Sequence, residues 1–507
     1  MNVPKNHFDY EVAVLGGGSA GYAAARTAAA AGLRTVVIEG GREVGGLCIL
    51  RGCMPSKALL HAGEALHNAR TGAELGLRIP KAGFDFKAVM ARKNAVIGEF
   101  ARYRQKELAA GKFDFLRARA QFADLHTLEL STAEGRGTRK APKRVTAGHF
   151  VIATGSAIAP PPLAKLAEIG CITSDDALQL SRPPRSLIVL GGGAIGVEMS
   201  QFFRRFDTDV TLIQRSEHLL RDFDVDASET VARVLRREGV KVFTGTKVTD
   251  AFRAGRCKGV VFEHQKRRRR ATADAILLAT GRTPNTAGLG LEKIGVTLEN
   301  GRVVTNAGMQ TSQSHIYAAG DCAGPWEIVH IGIEQGEIAA HNIAHPRRAR
   351  QIDYRLLTMI VFTSPQAAMV GLSEKSASAR GLPYFRACYP FDDHGKSQIM
   401  AAMDGFVKLL ADPMTGEILG GACVGPMGGE LLHEIIAAMH KRMTVHELAV
   451  MPHYHPTLSE IWTYPAAELA ERISLRRAEG ASAKDSRLSY FCQQTRGRSM
   501  PRGDGYG

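Results

Sequence analysis

Residues 12–21 read VAVLGGGSAG and run on as YAAARTAAAAGLRTVVIEG to residue 40. The apolar run 12–15 predicts a buried strand, the alanine-rich run 22–31 a helix, and TVVI at 35–38 a second strand that ends on an acid, Glu39. Between strand and helix stand Gly16, Gly18 and Gly21 in GxGxxG spacing, with Ser19 and Ala20 opening the helix. The first glycine permits the tight turn, the second lets backbone approach a pyrophosphate, and the third lets the helix pack closely on the strands. Unpaired N–H groups at the helix start face the phosphates. Glu39, 23 residues past Gly16, can bond ribose hydroxyls.

The pattern returns 175 residues later as LIVLGGGAIG, with Gly191, Gly193, Ala194, Ile195 and Gly196, then a helical stretch and the strand DVTLIQR. Two such units predict an α/β chain with two Rossmann-like domains, each holding a dinucleotide. They differ where Glu39 closes the first: the second has Gln214, then Arg215, with Arg221 six residues on. A carboxylate there would repel a 2′-phosphate, whereas a guanidinium can pair with it. The second unit therefore reads as favouring NADPH over NADH, against the bland alternative of surface arginines.

Composition sets the frame for these units. The 507 residues leave room for three or four domains, and 45 % hydrophobic with 23 % charged residues is the balance of a globular chain. No apolar run approaches the roughly 18 residues of a membrane span, and the first residues lack a cationic region followed by an apolar one, so a cytoplasmic protein is expected. Eight cysteines are too few for a disulfide-stapled secreted fold. The 54 glycines exceed the usual share, and the formal net charge is +15.

Just after the first unit comes GGLCILRGCMPSKALL, with Cys48 and Cys53 separated by four residues. A bridge closing so short a loop stabilises by only roughly 2 kcal/mol, which makes it a poor staple and a plausible redox switch. Arg51, Lys57 and a helix-like run from Ser56 would favour a thiolate. Two unrelated buried cysteines remain the alternative at this spacing.

The full set of motifs resembles the pyridine nucleotide-disulfide oxidoreductases of class I. It comprises the first dinucleotide unit, CILRGC followed by MPSK, ATGS at 153–156, the second unit, ATGRTPN at 279–285, AAGD at 318–321 and HPTLSE at 455–460, in the family's order from about residue 8 to 472. The resemblance implies FAD in the first unit, held by its glycines with Glu39, Gly46, Lys57, Thr154, Gly155 and Asp321. It places the nicotinamide cofactor on the second unit, with Gly281 and Glu198. Lys57 and Glu198 would pair near the hydride path, and His455 with Glu460 would be the acid–base dyad. Histidine suits both taking and giving a proton near neutrality, and a carboxylate on one ring nitrogen fixes the tautomer. His453 is left as a bystander.

By the same resemblance, Cys53 faces the flavin, Cys48 exchanges with the substrate, and His455 serves the other subunit of an obligatory homodimer. No metal is expected. Within the family, VFTSPQAAMVGLSE and the run up to HPTLSE look most like dihydrolipoamide dehydrogenases, although those usually carry an acid where Gln214 stands. Reduction of another disulfide or of Hg(II) is the alternative. The mercuric reductases normally end in adjacent cysteines, while this tail has only Cys492. A redox sensor without turnover is a further alternative.

The expected architecture is an FAD domain of 1–160 and 285–350, an NAD(P) domain of 161–284, an α+β dimerisation domain of 351–475 and a basic disordered tail of 476–507. GTRKAPKR at 137–144 and KRRRR at 266–270 read as hairpin tips. With the tail, KRRRR carries nine of the fifteen positive units. Such runs can hold polyanions, but no nucleic-acid module accompanies them, and a small-molecule or protein-bound disulfide is the expected partner.

Overall fold

A computed structural model describes residues 8–132 and 143–478. The chain forms two compact units, one ending at Leu357 and one beginning at Thr358. The first unit holds both glycine turns, each on its own parallel sheet.

In the first sheet the strands Asp114–Leu116, Thr35–Ile38, Tyr10–Leu15, Arg144–Ile152 and Ile316–Ala318 lie side by side in parallel. The second runs Lys241–Phe243, Asp209–Ile213, Ser186–Leu190, Ala275–Leu278 and Ile172–Thr173, again parallel. In both, the glycine-bearing strand is central, and its residues are apolar on both faces because helices or loops cover both. Val12, Ala13, Val14, Leu187, Ile188 and Val189 are fully buried.

The two turns are built alike. Gly16 and Gly191 both have φ +109°, and a β-carbon on either would lie 2.3 or 2.2 Å from a carbonyl oxygen of the neighbouring strand's end, Ala153 or Ala279. A β-carbon on Gly21 or Gly196 would stand 1.9 or 1.8 Å from the carbonyl oxygen of that same turn. The helices that follow, Ser19–Ala30 and Ala194–Arg205, are thus pressed onto their turns at a distance only glycine allows. Gly336, in the helix Val329–Ala344, does the same against Ala20 and lets the two helices lie close.

Beside the second sheet stands a three-stranded antiparallel sheet, Thr246–Ala254, Cys257–His264 and Arg267–Ala273. It corrects one expectation. Only Gln265 and Lys266, with φ of 51° and 60°, form the tip, a two-residue turn with both residues left-handed. Arg267–Arg270 belong to the strand. Long aliphatic stems let arginine cover a sheet face, and Arg269 and Arg270 lie over the rings of Phe243 and Phe252 at 5.5 and 4.4 Å. Of the other basic run, Arg144 opens a strand that pairs antiparallel with Thr127–Thr132, while 137–142 lie outside the described residues.

The second unit is a five-stranded antiparallel sheet in the order Thr358–Val361, Gln366–Gly371, Ile418–Gly425, Phe406–Ala411 and Phe385–Pro390. The helix Gly428–His440 covers it, with Leu432 and Ile435 fully buried. Residues 463–478 are helical, so the helix runs past the expected start of the tail at 476; the remainder, with Cys492, lies outside the described residues. Among the described residues no helix is long and apolar enough to cross a membrane.

Candidate active site

Gly46 joins the cysteine segment to the first glycine turn. Its φ is +78°, and a β-carbon there would come within 2.7 Å of the α-carbon of Gly18. The chain therefore lies against the turn before it enters the short helix Gly46–Arg51, which carries Cys48. Gly52 interrupts, and the helix Cys53–Thr71 starts at Cys53 itself, three residues earlier than the sequence suggested. A thiol in the first turn of a helix of this length meets the positive end of its dipole.

Cys48 and Cys53 are both half-buried thiols. The hydrogen bond from Cys48 is the largest influence on Cys53. Burial opposes it and the charge of Lys57 assists it, and together they lower the Cys53 pKa to about 7. The same bond, with burial, pushes the Cys48 thiol up. Cys53 is the ready thiolate and Cys48 the thiol that needs a base. Of the two cations expected to help, Arg51 is turned away to Asp175 at 3.6 Å, and Lys57 remains. Its Nζ donates to both oxygens of the Glu198 carboxylate at 3.0 and 2.9 Å, from the first unit's cysteine helix to the second glycine turn's helix.

The side chains that close the two turns show how alike the turns are. Glu39 Oε2 accepts from the Gly17 N–H at 2.8 Å and Oε1 from the Gly41 N–H at 2.7 Å. Gln214 Oε1 accepts from the Gly192 N–H at 2.9 Å, so a neutral amide occupies the carboxylate's place. Arg215 follows it, exposed and in no ion pair among the described residues; Arg221 lies 3.7 Å from Asp222.

Both turn helices fit a dinucleotide's pyrophosphate. Their N-caps, Gly18 and Gly193, give no side-chain cap, and no acid stands in either first turn, which contains Ser19 and Ala20 or Ala194 and Ile195. Beside the first, Thr154 Oγ1 is buried without a partner among the described residues, next to Gly155 at φ +71°. Gly281, at φ +113°, leaves open space by the second.

Asp321 is held by a chain that the sequence reading missed. Arg282 Nε donates to Ser156 Oγ at 2.7 Å, and Ser156 donates to Asp321 Oδ2 at 2.6 Å. Both lie in motifs already noted, ATGRTPN and ATGS, but nothing in the spacing says they meet. Gln335, fully buried, fixes the same segment by accepting from the Gly320 N–H and donating to the Gly324 carbonyl. Arg104 was missed as well. Its guanidinium lies 4.2 Å over the Tyr22 ring, with Nε and Nη1 buried and unpartnered among the described residues.

In the second unit His455 Nδ1 lies 3.0 and 3.2 Å from the Glu460 carboxylate oxygens. The imidazole is 78 % exposed and the carboxylate nearly buried, so the ring is backed on one side and open on the other. His453 has its own partner, Glu434, at 2.7 Å.

Residues 10–336 match the pyridine nucleotide-disulphide oxidoreductase family, and 357–466 match that family's dimerisation domain. The chain belongs to this family. It is 33 % identical to dihydrolipoyl dehydrogenase of Bacillus subtilis over 461 residues, covering 89 % of this chain and 96 % of the relative. Identity to the Mycobacterium leprae dihydrolipoyl dehydrogenase is 34 % over 452 residues, with shares of 89 % and 96 %. Among solved structures, LpdA from Mycobacterium tuberculosis superposes with a TM-score of 0.81 at 27 % identity, covering 90 % of this chain and 99 % of that one. The HOCl-induced flavoprotein disulfide reductase RclA from Escherichia coli gives 0.78 at 26 %, with shares of 90 % and 99 %. This pyridine nucleotide-disulphide oxidoreductase is an FAD-dependent enzyme of the dihydrolipoyl dehydrogenase-like kind.

Proposed function

We propose that the enzyme is a homodimer that exchanges electrons between NADP(H) and a small-molecule or protein-bound disulfide through Cys48 and Cys53. The observation that carries this is the unequal thiol pair: Cys53 at a helix start beside Lys57, Cys48 raised by its bond to Cys53 and by burial. Bound FAD supplies the two-electron relay between nicotinamide and thiols; Gly16, Gly18, Gly21, Glu39, Gly46, Thr154, Gly155 and Asp321 would hold it. Gly191, Gly193, Gly196 and Gly281 would hold the nicotinamide dinucleotide.

In the reductive direction the Cys48 thiolate attacks a substrate disulfide, forming a mixed disulfide and releasing one substrate thiolate. His455, made imidazolium by the proton taken from Cys48, gives that proton to the leaving sulfur. The Cys53 thiolate then attacks Cys48, the Cys48–Cys53 bond forms as the mixed disulfide breaks, and the second substrate sulfur leaves as a thiolate that takes its proton from solvent. Glu460 keeps Nδ1 of His455 protonated so that Nε2 does this work. Lys57 keeps Cys53 ionised, and Glu198 holds Lys57 in place.

Gln214 in the carboxylate's place, followed by exposed Arg215, supports NADPH over NADH. Steady-state rates with each nucleotide, using lipoamide, oxidised glutathione and Hg²⁺ as acceptors, test the reading. NADPH oxidation that needs Cys48 is expected, and Gln214→Glu should move the kcat/KM ratio toward NADH by about tenfold or more. Activity confined to NAD⁺ with dihydrolipoamide in the unaltered enzyme would overturn the NADPH assignment.

A further inference from the structure

Behind the His455–Glu460 pair lies a third residue, fully buried. His394 stands at the junction of the single turn Phe391–Asp393 and the short helix Gly395–Ile399, with no exposed surface. Its Nδ1 is 2.9 Å from Ser397 Oγ, and its Nε2 is 3.4 Å from Glu460 Oε1. That contact is a charge-distance approach outside hydrogen-bond geometry, and Nε2 has no hydrogen-bond partner among the described residues. Burial of an imidazole nitrogen without a partner is costly, so its orientation toward the carboxylate calls for an account.

The tautomer follows from the neighbours. A bare Nε2 lone pair facing a carboxylate would set two acceptors against each other, so Nε2 carries the proton and Nδ1 accepts from the Ser397 hydroxyl. Burial holds the ring neutral; Glu460 opposes that and His455 adds to it. The remaining neighbours do not compete for Nε2. Phe391 and Tyr464 present rings at 6.4 Å, and Tyr464 stacks on Tyr389, whose hydroxyl donates to Asp393.

We propose that His394 is a positioning residue for the acid–base pair: its Nε2–H steadies the buried side of the Glu460 carboxylate and tempers the basicity that Glu460 confers on His455. The inference rests on the reading of His455 as the acid–base group. Glu460 is then shared between a buried donor at the back and the working imidazole at the front. Without the rear donor the carboxylate draws more strongly on His455 Nδ1–H, and the imidazolium is favoured.

The test is carbethoxylation of His455 by diethyl pyrocarbonate in the FAD-loaded enzyme, followed across pH by peptide mass; the reagent reacts with neutral imidazole and reports its titration midpoint. His394→Phe fills the space without a donor, and the midpoint is expected to rise by roughly half a unit or more. His394→Gln carries an amide nitrogen the same number of bonds from the backbone and should restore the midpoint. Ser397→Ala frees the tautomer and should move the midpoint part of the way, which keeps the test open should His394→Phe not fold. An unmoved midpoint in His394→Phe or, failing that variant, in Ser397→Ala overturns the inference, as does His394→Gln behaving like His394→Phe. Disulfide turnover unaffected by His455→Ala would instead overturn the underlying reading, a separate outcome read from a separate variant.

Discussion

Cys53 and Cys48 are the same side chain with opposite pKa shifts, and the difference comes from what surrounds each sulfur. The pair was visible in the sequence, as was the lysine one helical turn beyond Cys53. What spacing could not reveal was that Arg51 is taken by Asp175, 124 residues away, because ion pairs between distant segments leave no local trace. His394 was invisible for the same reason: a lone histidine acquires meaning only from Glu460, 66 residues on. The assignment of Lys57 has a direct consequence. Its charge lowers the Cys53 pKa and Glu198 raises it, so Lys57→Met should raise that pKa by roughly one unit and Glu198→Gln should lower it. The sign is fixed by the depressed native value: the thiolate dominates above about pH 7 and is lost as the pH falls through it. The rate of iodoacetamide alkylation of reduced Cys53 against pH measures both variants, and midpoints that move together would refute the assignment.

The glycine turns were the most legible elements, because GxGxxG encodes contacts only glycine can make. Their likeness yields a contrast between two equivalent changes. A β-carbon at Gly21 meets the Gly16 carbonyl at 1.9 Å and one at Gly196 meets the Gly191 carbonyl at 1.8 Å, and neither carbonyl can move without opening its turn. Overpacking of this kind costs about 1–3 kcal/mol or more. Gly21→Ala is therefore expected to purify with little flavin absorbance, whereas Gly196→Ala should keep its flavin and lose at least about tenfold in kcat/KM for the nicotinamide nucleotide. The arginine strand was misjudged for an identifiable reason: five cations in a row suggest a solvated tip, yet alternate side chains of a strand point to opposite faces, and the guanidinium groups of Arg269 and Arg270 find aromatic rings there. Among the described residues, Arg267–Ala273 pairs on one side only, with Cys257–His264. Charge on such an edge prevents pairing with another chain. Arg268→Thr with Arg270→Thr should accordingly increase concentration-dependent association in sedimentation or light scattering while leaving disulfide turnover unchanged.

At the scale of the whole molecule, the thiols and His455 belong to different compact units, and the chain carries its family's dimerisation domain over residues 357–466. Cys48, its pKa raised by its bond to Cys53 and by burial, needs a base; His455, 78 % exposed, offers its open nitrogen outward. A homodimer in which each His455 serves the other subunit's Cys48 satisfies both needs, and it makes a prediction that no single-chain arrangement shares. Cys48→Ser and His455→Ala should each give homodimers with little disulfide turnover. In a mixed dimer, one site combines both defects and the other combines the intact Cys48 of one subunit with the intact His455 of its partner. Co-expressed with two affinity tags and purified through both, the mixed dimer should recover about half of the unaltered turnover per dimer, since one of two sites is whole. Were Cys48 and His455 to act within one chain, each subunit would carry a defect and the mixed dimer would remain as inactive as its parents. Flavin reduction by the nicotinamide nucleotide should be normal in the His455→Ala subunits in either case and serves as the control that they are folded and loaded.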